Sequence, residues 1–366
     1  MDYAGRRAHL RQQIQEQGID LVAVSPGDNM RYLLGFATHP DERPCYLLLT
    51  AHGEGMLMPE LNALEARHYI DLPMEVYSDA DSPLPALQRL AETLGFADAK
   101  RVLVDETMRA DFVFLLHEAA PSAQLASTTA LLGAMRMRKD PAEVEALKAN
   151  ALTADAAMRA AYAALRPGMT EAEVADVVAA AFAEQGTDKL NFAIIASGPH
   201  GAFPHHATGQ RKLKVGDTVI LDIGASMQGY NSDLTRVAFL GEPDEEFLQV
   251  HAIVNRAVEA ALAVIHPGAP LSDVDKAARQ VITEAGYGEY FTHRTGHGIG
   301  MTVHEPPYVT HTNDIPIEVG MSFSVEPGIY LPDKFGVRLE EIVVVEEEGP
   351  RILSELSRDV YIVRPA

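Results

Sequence analysis

The 366-residue chain has a single cysteine, Cys45, and no tryptophan. One thiol excludes an intramolecular disulfide and any zinc site built on clustered thiolates. The missing tryptophan excludes nothing. Positive charge is scarce: 30 Lys and Arg stand against 52 Asp and Glu, a formal net charge of −22. That balance argues against nucleic acid and anionic membrane as partners, since both require basic patches. No apolar run approaches the roughly 20 residues of a membrane span. The opening residues, M-D-Y-A-G-R-R, carry charge and lead into no long apolar stretch. No signal peptide is expected, and the expected location is the cytoplasm. The first third of the chain has no glycine-rich phosphate loop. A G-x-G pattern does occur in H-R-T-G-H-G-I-G, but no helix signal follows it, so a dinucleotide loop is not expected there.

The remaining composition is that of a globular protein, 47% hydrophobic and 22% charged, with length enough for two domains. Residues 1–134 read as a small α/β domain. Leu21 to Val24, Cys45 to Leu49 and Val102 to Val104 are short buried strands between helical stretches. Residues 135–366 form the second domain. Its first helix is announced by Asp140 as cap, Pro141 at the first helical position and Glu143 three after the cap. Thr170 with Glu173 repeats the signal, and Ser272 is expected to cap a later helix. Strands are expected at Phe192 to Ala196, Val219 to Ile223, Thr235 to Leu240, Val303, Phe323 to Val325, and Leu339 to Val345.

This second domain repeats itself. V-G-D-T-V-I-L-D-I-G, Val215 to Gly224, matches V-G-M-S-F-S-V-E-P-G, Val319 to Gly328. Upstream, Pro167 to Val174 matches Pro267 to Val274, and Gly186 matches Gly286. Two copies of helix, Pro-Gly turn, helix and strands are expected to pack about a pseudo-twofold axis. Each copy carries a carboxylate on an apolar strand, Asp222 or Glu326, and a second acid further on, Asp233 or Glu340. An unpaired buried carboxylate costs several kcal/mol, and clustered like charges repel. A metal site holding two ions is the economical explanation. His297, between close-packing glycines, joins as a ligand. Four carboxylates and one imidazole favour manganese, with cobalt or zinc as substitutes, over a thiolate-type zinc site. His205, His293 and His304 lie in adjoining segments and can donate to a carbonyl oxygen or a leaving nitrogen. His205 is preferred over its neighbour His206. Arg338, two before Glu340, either orients a ligand or binds a substrate carboxylate. Glu305 reads either as a partner of the site or as a turn residue before Pro306 and Pro307.

The order D, D, H, E, E resembles the dinuclear metallopeptidases of the pita-bread fold, in the branch of creatinase, aminopeptidase P and prolidase. The local wording is similar too: L-D-I-G, S-D-L-T-R, T-G-H-G-I-G, H-E-P-P, V-E-P-G-I-Y and G-V-R-L-E-E. The resemblance runs from about Met135 to Val363, and the first domain looks like the N-terminal domain of that branch. One departure is Glu341, where the usual residue is Asp. The resemblance implies an α/β (α+β) fold: a creatinase-like domain followed by a pita-bread domain with an internal pseudo-twofold repeat. It implies that Asp222 chelates one ion, that Asp233 and Glu340 bridge both, and that His297 and Glu326 complete the other. It further implies hydrolysis of the Xaa-Pro bond in dipeptides by a metal-bridging hydroxide. Glu326 would take a proton, the metal and His304 would stabilise the oxyanion, and His205 or a water would protonate the leaving nitrogen. His293 and Arg338 would meet the substrate, a proline-containing di- or short peptide. Family members are commonly homodimers. Three other readings remain: an Xaa-Pro aminopeptidase acting on longer peptides, a non-peptide C–N hydrolase of the same fold, and a metal-free binding module. Five intact ligands weigh against the last.

Overall fold

The computed structural model describes residues 1–364, which divide into two compact units, Met1–Arg136 and residues 137–364. The first unit is built on a six-stranded mixed sheet. Its order is Met74–Tyr77, Glu54–Pro59, Tyr46–Leu49, Leu21–Val24, Arg101–Val104 and Gln124–Ser127. Leu21, Ala23, Tyr46, Leu48 and Leu57 pack one face against the helices Leu84–Leu94 and Ala110–Ala119. Half of this sheet was legible as apolar runs. Glu54–Pro59, Met74–Tyr77 and Gln124–Ser127 were not, because they mix polar residues and proline into short segments.

The second unit places two five-stranded sheets and a hairpin beneath two pairs of helices. One sheet runs Tyr361–Val363, Leu234–Leu240, Thr218–Met227, Lys189–Ser197, with Tyr230–Asn231 alongside. The other runs Glu305–Val309, Gly296–Gly298, Ser322–Val325, Glu341–Glu346, Gly349–Ile352. The hairpin pairs Gly328–Leu331 with Phe335–Arg338. The first helix pair is Pro141–Ala164 and Glu171–Glu184, each opened by a full capping box, at Asp140 with Glu143 and at Thr170 with Glu173. The second pair is Glu245–Ala263 and Ser272–Glu284.

The internal repeat is written into the backbone. Gly168 and Gly268 adopt left-handed φ of 93° and 89°, and their amides donate to Leu213 and Ile317 carbonyls at 2.8 Å in both copies. Isolated bridges Thr170–Lys212 and Pro270–Pro316 match as well. Strand alternation then separates core from site. Val219, Leu221 and Ile223 pack against the first helix pair, so Asp222 faces the opposite side. Phe323 and Val325 pack with the second pair, leaving Ser324 and Glu326 on the other face.

Three local expectations differ. Ser272 opens its helix from inside, and its hydroxyl donates to Asp314 Oδ1 where a cap would bond its own helix. Val303 lies before the strand, which begins at Glu305. The run Leu339 to Val345 is interrupted: Phe335–Arg338 belongs to the hairpin and Glu341–Glu346 to the sheet. The break at Leu339 and Glu340 lets Glu340 turn inward. Among the described residues no helix is long and apolar enough to cross a membrane. Gly296 leaves no room for a side chain, because a Cβ there would run into the Ser324 carbonyl. Gly296→Ala is expected to lower unfolding free energy by about 3 kcal/mol, as read from denaturant melts.

Candidate metal centre

Asp222, Asp233, His297, Glu326 and Glu340 meet at one point. Their ligand atoms form overlapping groups, Asp222 with Asp233 and Glu340, and His297 with Glu326 and Glu340, each within 4.8 Å of one another. Asp222 comes from the middle of its strand, directly opposite Thr235. Asp233 immediately precedes the strand Leu234–Leu240, Glu326 follows Ser322–Val325, and Glu340 sits in the break described above. His297 Nε2 lies 3.2 Å from Glu326 Oε1 and 3.6 Å from Asp233 Oδ2.

The supporting bonds hold each group in place. His297 Nδ1 donates to the Gly298 carbonyl at 3.0 Å, which turns Nε2 toward the acids, as metal-binding imidazoles are oriented. Ser324 Oγ accepts from the His297 amide and donates to Glu326 Oε1, both at 2.9 Å. The Glu326 amide donates to the Thr295 carbonyl, and Thr295 is itself tied by its amide and hydroxyl to buried Asp275. Glu340 Oε2 accepts from Thr235 Oγ1 at 2.8 Å, while its buried Oε1 has no partner among the described residues. Arg236, fully buried, donates to the carbonyls of Thr235, Glu340, Leu356 and Ser357 and to the Glu341 carboxylate. It locks the strand that delivers Glu340, and Glu341 serves there as its counter-charge.

The electrostatics follow from this crowding. Burial raises Asp222, with Arg338 opposing. Burial and repulsion from neighbouring acids push Asp233 and Glu340 far above the usual carboxylate range. Burial also acts to raise Glu326, but the His297 imidazole overrides it and brings the group to about 2. An orphaned buried oxygen, three acids that resist ionisation and an imidazole aimed at them fit a site for divalent cations. The donor set is oxygen-rich, so hard or borderline ions suit it.

Above this cluster lies a cavity of about 620 Å³. His205, His293, His304 and Arg338 all line it, with Arg294, Lys189 and Phe192. His205 faces the cavity, whereas His206 turns its Nε2 to Glu171 at 2.9 Å. His304 stands edge-on to His297, 4.0 Å between ring centres, and within ligand reach of Asp233 and His297. Partial burial with His297 and Arg294 nearby lowers it to about 4, so it is neutral near pH 7. His293 Nδ1 donates to the Arg294 carbonyl, which leaves Nε2 to accept from Tyr330 OH at 2.8 Å. Burial lowers His293 as well.

Arg338 uses four of its five donors. It donates to Asp222 Oδ2 at 2.6 Å, Tyr330 OH at 2.9 Å, the Pro204 carbonyl at 3.2 Å and Thr235 Oγ1 at 3.2 Å. Of its two expected roles, orienting a carboxylate is the one its contacts display. Sequence reasoning missed Tyr330, although it ends V-E-P-G-I-Y. Directly opposite on the hairpin is Gly336, where a Cβ would meet the Gly201 carbonyl first and the Tyr330 ring next. It also missed Arg294. That guanidinium stacks on Tyr308 at 4.4 Å and makes no hydrogen bond among the described residues. Glu305 proves to be buried and ion-paired to Lys139 at 2.8 Å.

Comparison with known proteins agrees with this geometry. Residues 145–347 match the model of metallopeptidase family M24, and residues 6–138 match the creatinase/prolidase N-terminal domain. The crystal structure of dipeptidase PepE from Mycobacterium ulcerans superposes with a TM-score of 0.93 at 38% identity, covering 99% of this chain and 98% of that one. Recombinant prolidase from Thermococcus sibiricus gives 0.94 at 34% identity, covering 99% of both chains. An Xaa-Pro dipeptidase of Lactobacillus delbrueckii subsp. lactis is 32% identical, with 97% of this chain and 98% of the relative aligned. The expected fold, a creatinase-like domain followed by a pita-bread metallopeptidase domain, is the one present.

The raised acids make a signed prediction. Without cations, the folded chain binds protons at Asp222, Asp233 and Glu340 more tightly than the unfolded chain does. Their contribution to stability is full below the ordinary values of 3.8 for Asp and 4.5 for Glu, and is lost as pH rises through the elevated folded values. Glu326 runs the other way, adding stability above 4.5 that is lost toward about 2. His304 and His293, both lowered in the folded chain, add stability as pH rises toward the ordinary imidazole value of 6.5, so the loss from the three raised acids is read above that value. The Tm of metal-stripped protein is expected to fall from about pH 6.5 to about pH 8, and the rise in Tm on adding manganese to be larger at the higher pH. Calorimetry at both pH values checks this.

Proposed function

This chain belongs to metallopeptidase family M24, and from that premise we propose that it is an Xaa-Pro dipeptidase. The reading is carried by one observation: four of the five candidate metal-binding side chains, Asp222, Asp233, His297 and Glu326, line a cavity whose wall also holds three histidines and Arg294, which has no hydrogen-bond partner among the described residues. Relatives named Xaa-Pro dipeptidase and prolidase support it. Asp222, Asp233, His297, Glu326 and Glu340 would hold two divalent cations, manganese by preference, with Asp233 and Glu340 shared between them. Such a pair supplies a water that ionises near neutral pH and positive charge for the scissile carbonyl.

The side chains divide the remaining work. Glu326 stays ionised at working pH and takes the proton of the attacking water. Neutral His304 donates a hydrogen bond to the carbonyl oxygen as it gains charge. His205 carries a proton to the leaving nitrogen. A prolyl nitrogen has no hydrogen of its own and leaves only if protonated. His293 and Tyr330 set the wall beside the substrate, and Arg338 fixes Asp222. A dipeptide also brings a free carboxylate to this cavity. Arg338 commits four of its five donors within the protein, so Arg294 receives it, with Lys189 adding charge at the same wall. A single buried thiol and the absence of disulfides suit a cytoplasmic enzyme. Homodimer formation is carried over from the family resemblance.

One kinetic comparison with added manganese tests substrate and subsite together. Ala-Pro, Ala-Pro-Ala and Ala-Pro amide are offered to wild type and to Arg294→Ala. Wild type is expected to prefer Ala-Pro. Arg294→Ala is expected to raise KM for Ala-Pro by about tenfold or more and to change the amide far less. Cleavage of the tripeptide alone reassigns the enzyme to the aminopeptidases.

A further inference from the structure

A second buried carboxylate lies among histidines outside the metal centre. Glu171 sits in the first turn of its helix with its side chain 0% exposed. Its Oε1 accepts from the Ser197 amide at 2.8 Å, Ser197 Oγ at 2.7 Å and His200 Nδ1 at 2.9 Å. Its Oε2 accepts from His206 Nε2 at 2.9 Å and the Gly209 amide at 3.3 Å. These donors come from the end of the strand Lys189–Ser197, from the tight turn Gly198–Ala202 and from the loop beyond it. One carboxylate therefore fastens the segment 197–209 at four residues.

Between these fastenings lie Pro204 and His205, which line the cavity. The Pro204 carbonyl accepts from Arg338, and Arg338 grips Asp222. His205 is exposed, and its ring makes no hydrogen bond among the described residues. Its place over the site is set by the backbone that carries it. We propose that Glu171 is a positioning residue: by holding His200 and His206 it fixes the loop that presents His205 to the leaving nitrogen. The proposal rests on the reading of His205 given above.

The chemistry of the hub supports this role. An ionised carboxylate only accepts, so each ring nitrogen facing it carries a proton, on Nδ1 of His200 and Nε2 of His206. Burial acts to raise Glu171, but its bonds from Ser197, His206 and His200 more than offset this and keep it below the usual range. Glu171, His200 and His206 also lie within metal-binding reach of one another. Five donors on two oxygens, however, use up the roughly four lone-pair sites a cation would need. Rigid support of this kind matters because small misplacements of a catalytic group are costly.

The test is a double-mutant cycle on Ala-Pro hydrolysis. Glu171→Gln is expected to lower kcat about tenfold or more with KM nearly unchanged. In a His205→Ala background the same change should cost less than about twofold. Equal losses in both backgrounds overturn the proposal. His206→Phe and His206→Gln probe the hub without altering its buried acid. The ring without a donor is expected to lower kcat, and the amide that restores a donor to recover it; identical behaviour of the two overturns the proposal. A third equivalent of bound manganese that Glu171→Gln removes would also overturn it, making the hub a metal site. If His205→Ala retains full kcat, the functional reading itself fails. If His205→Ala is impaired but shows no coupling to Glu171, only the positioning role fails.

Discussion

Four carboxylates buried within reach of one another cannot all be ionised in a low-dielectric site unless positive charge joins them. That constraint governs Asp222, Asp233, Glu326 and Glu340, and much of the second unit can be traced to it. Among the described residues the one protein cation in direct contact is Arg338, which reaches Asp222 and no other of the four. His297 reaches Glu326 and approaches Asp233. Glu340 is left with an oxygen that nothing among the described residues satisfies. Burial of such groups is costly, and the cost is recovered only when cations bind.

The architecture exists to hold that unfavourable cluster. Two copies of one helical and strand unit bring acids from separate sheets to a common point. Matched glycines at 168 and 268 turn both copies the same way. Strand alternation gives the odd-numbered residues of Thr218–Met227 to the helices and Asp222 to the site. Arg236 spends all its donors on the chain around Glu340 and on Glu341, so the break that turns Glu340 inward is itself held rigidly. Tyr330 links Arg338 to His293 across the hairpin, which joins the acid cluster to the cavity wall.

Much of this could be read from the sequence, for identifiable reasons. The repeat was visible because turn glycines and buried strands tolerate few residue types. The convergence of Asp222, Asp233, His297, Glu326 and Glu340 was anticipated because acids on apolar strands are conspicuous. The helix starts at Asp140 and Thr170 were legible because capping boxes are local chemistry. What escaped was tertiary. Ser272 has the residue type of a cap, yet its hydroxyl is claimed by Asp314. Glu305, beside two prolines, resembled a turn residue, yet it is buried against Lys139, 166 positions away. Arg294 and Arg338 look alike in sequence. Only their bonds distinguish the engaged guanidinium from the available one.

The account depends on cations completing the cluster, and metal content measures that most directly. Protein loaded with manganese, freed of excess ion and analysed by mass spectrometry is expected to hold two equivalents per chain. Glu340→Gln, which removes the charge of a candidate ligand, is expected to hold fewer. A folded, hydrolytically active chain that binds no divalent ion would contradict the account.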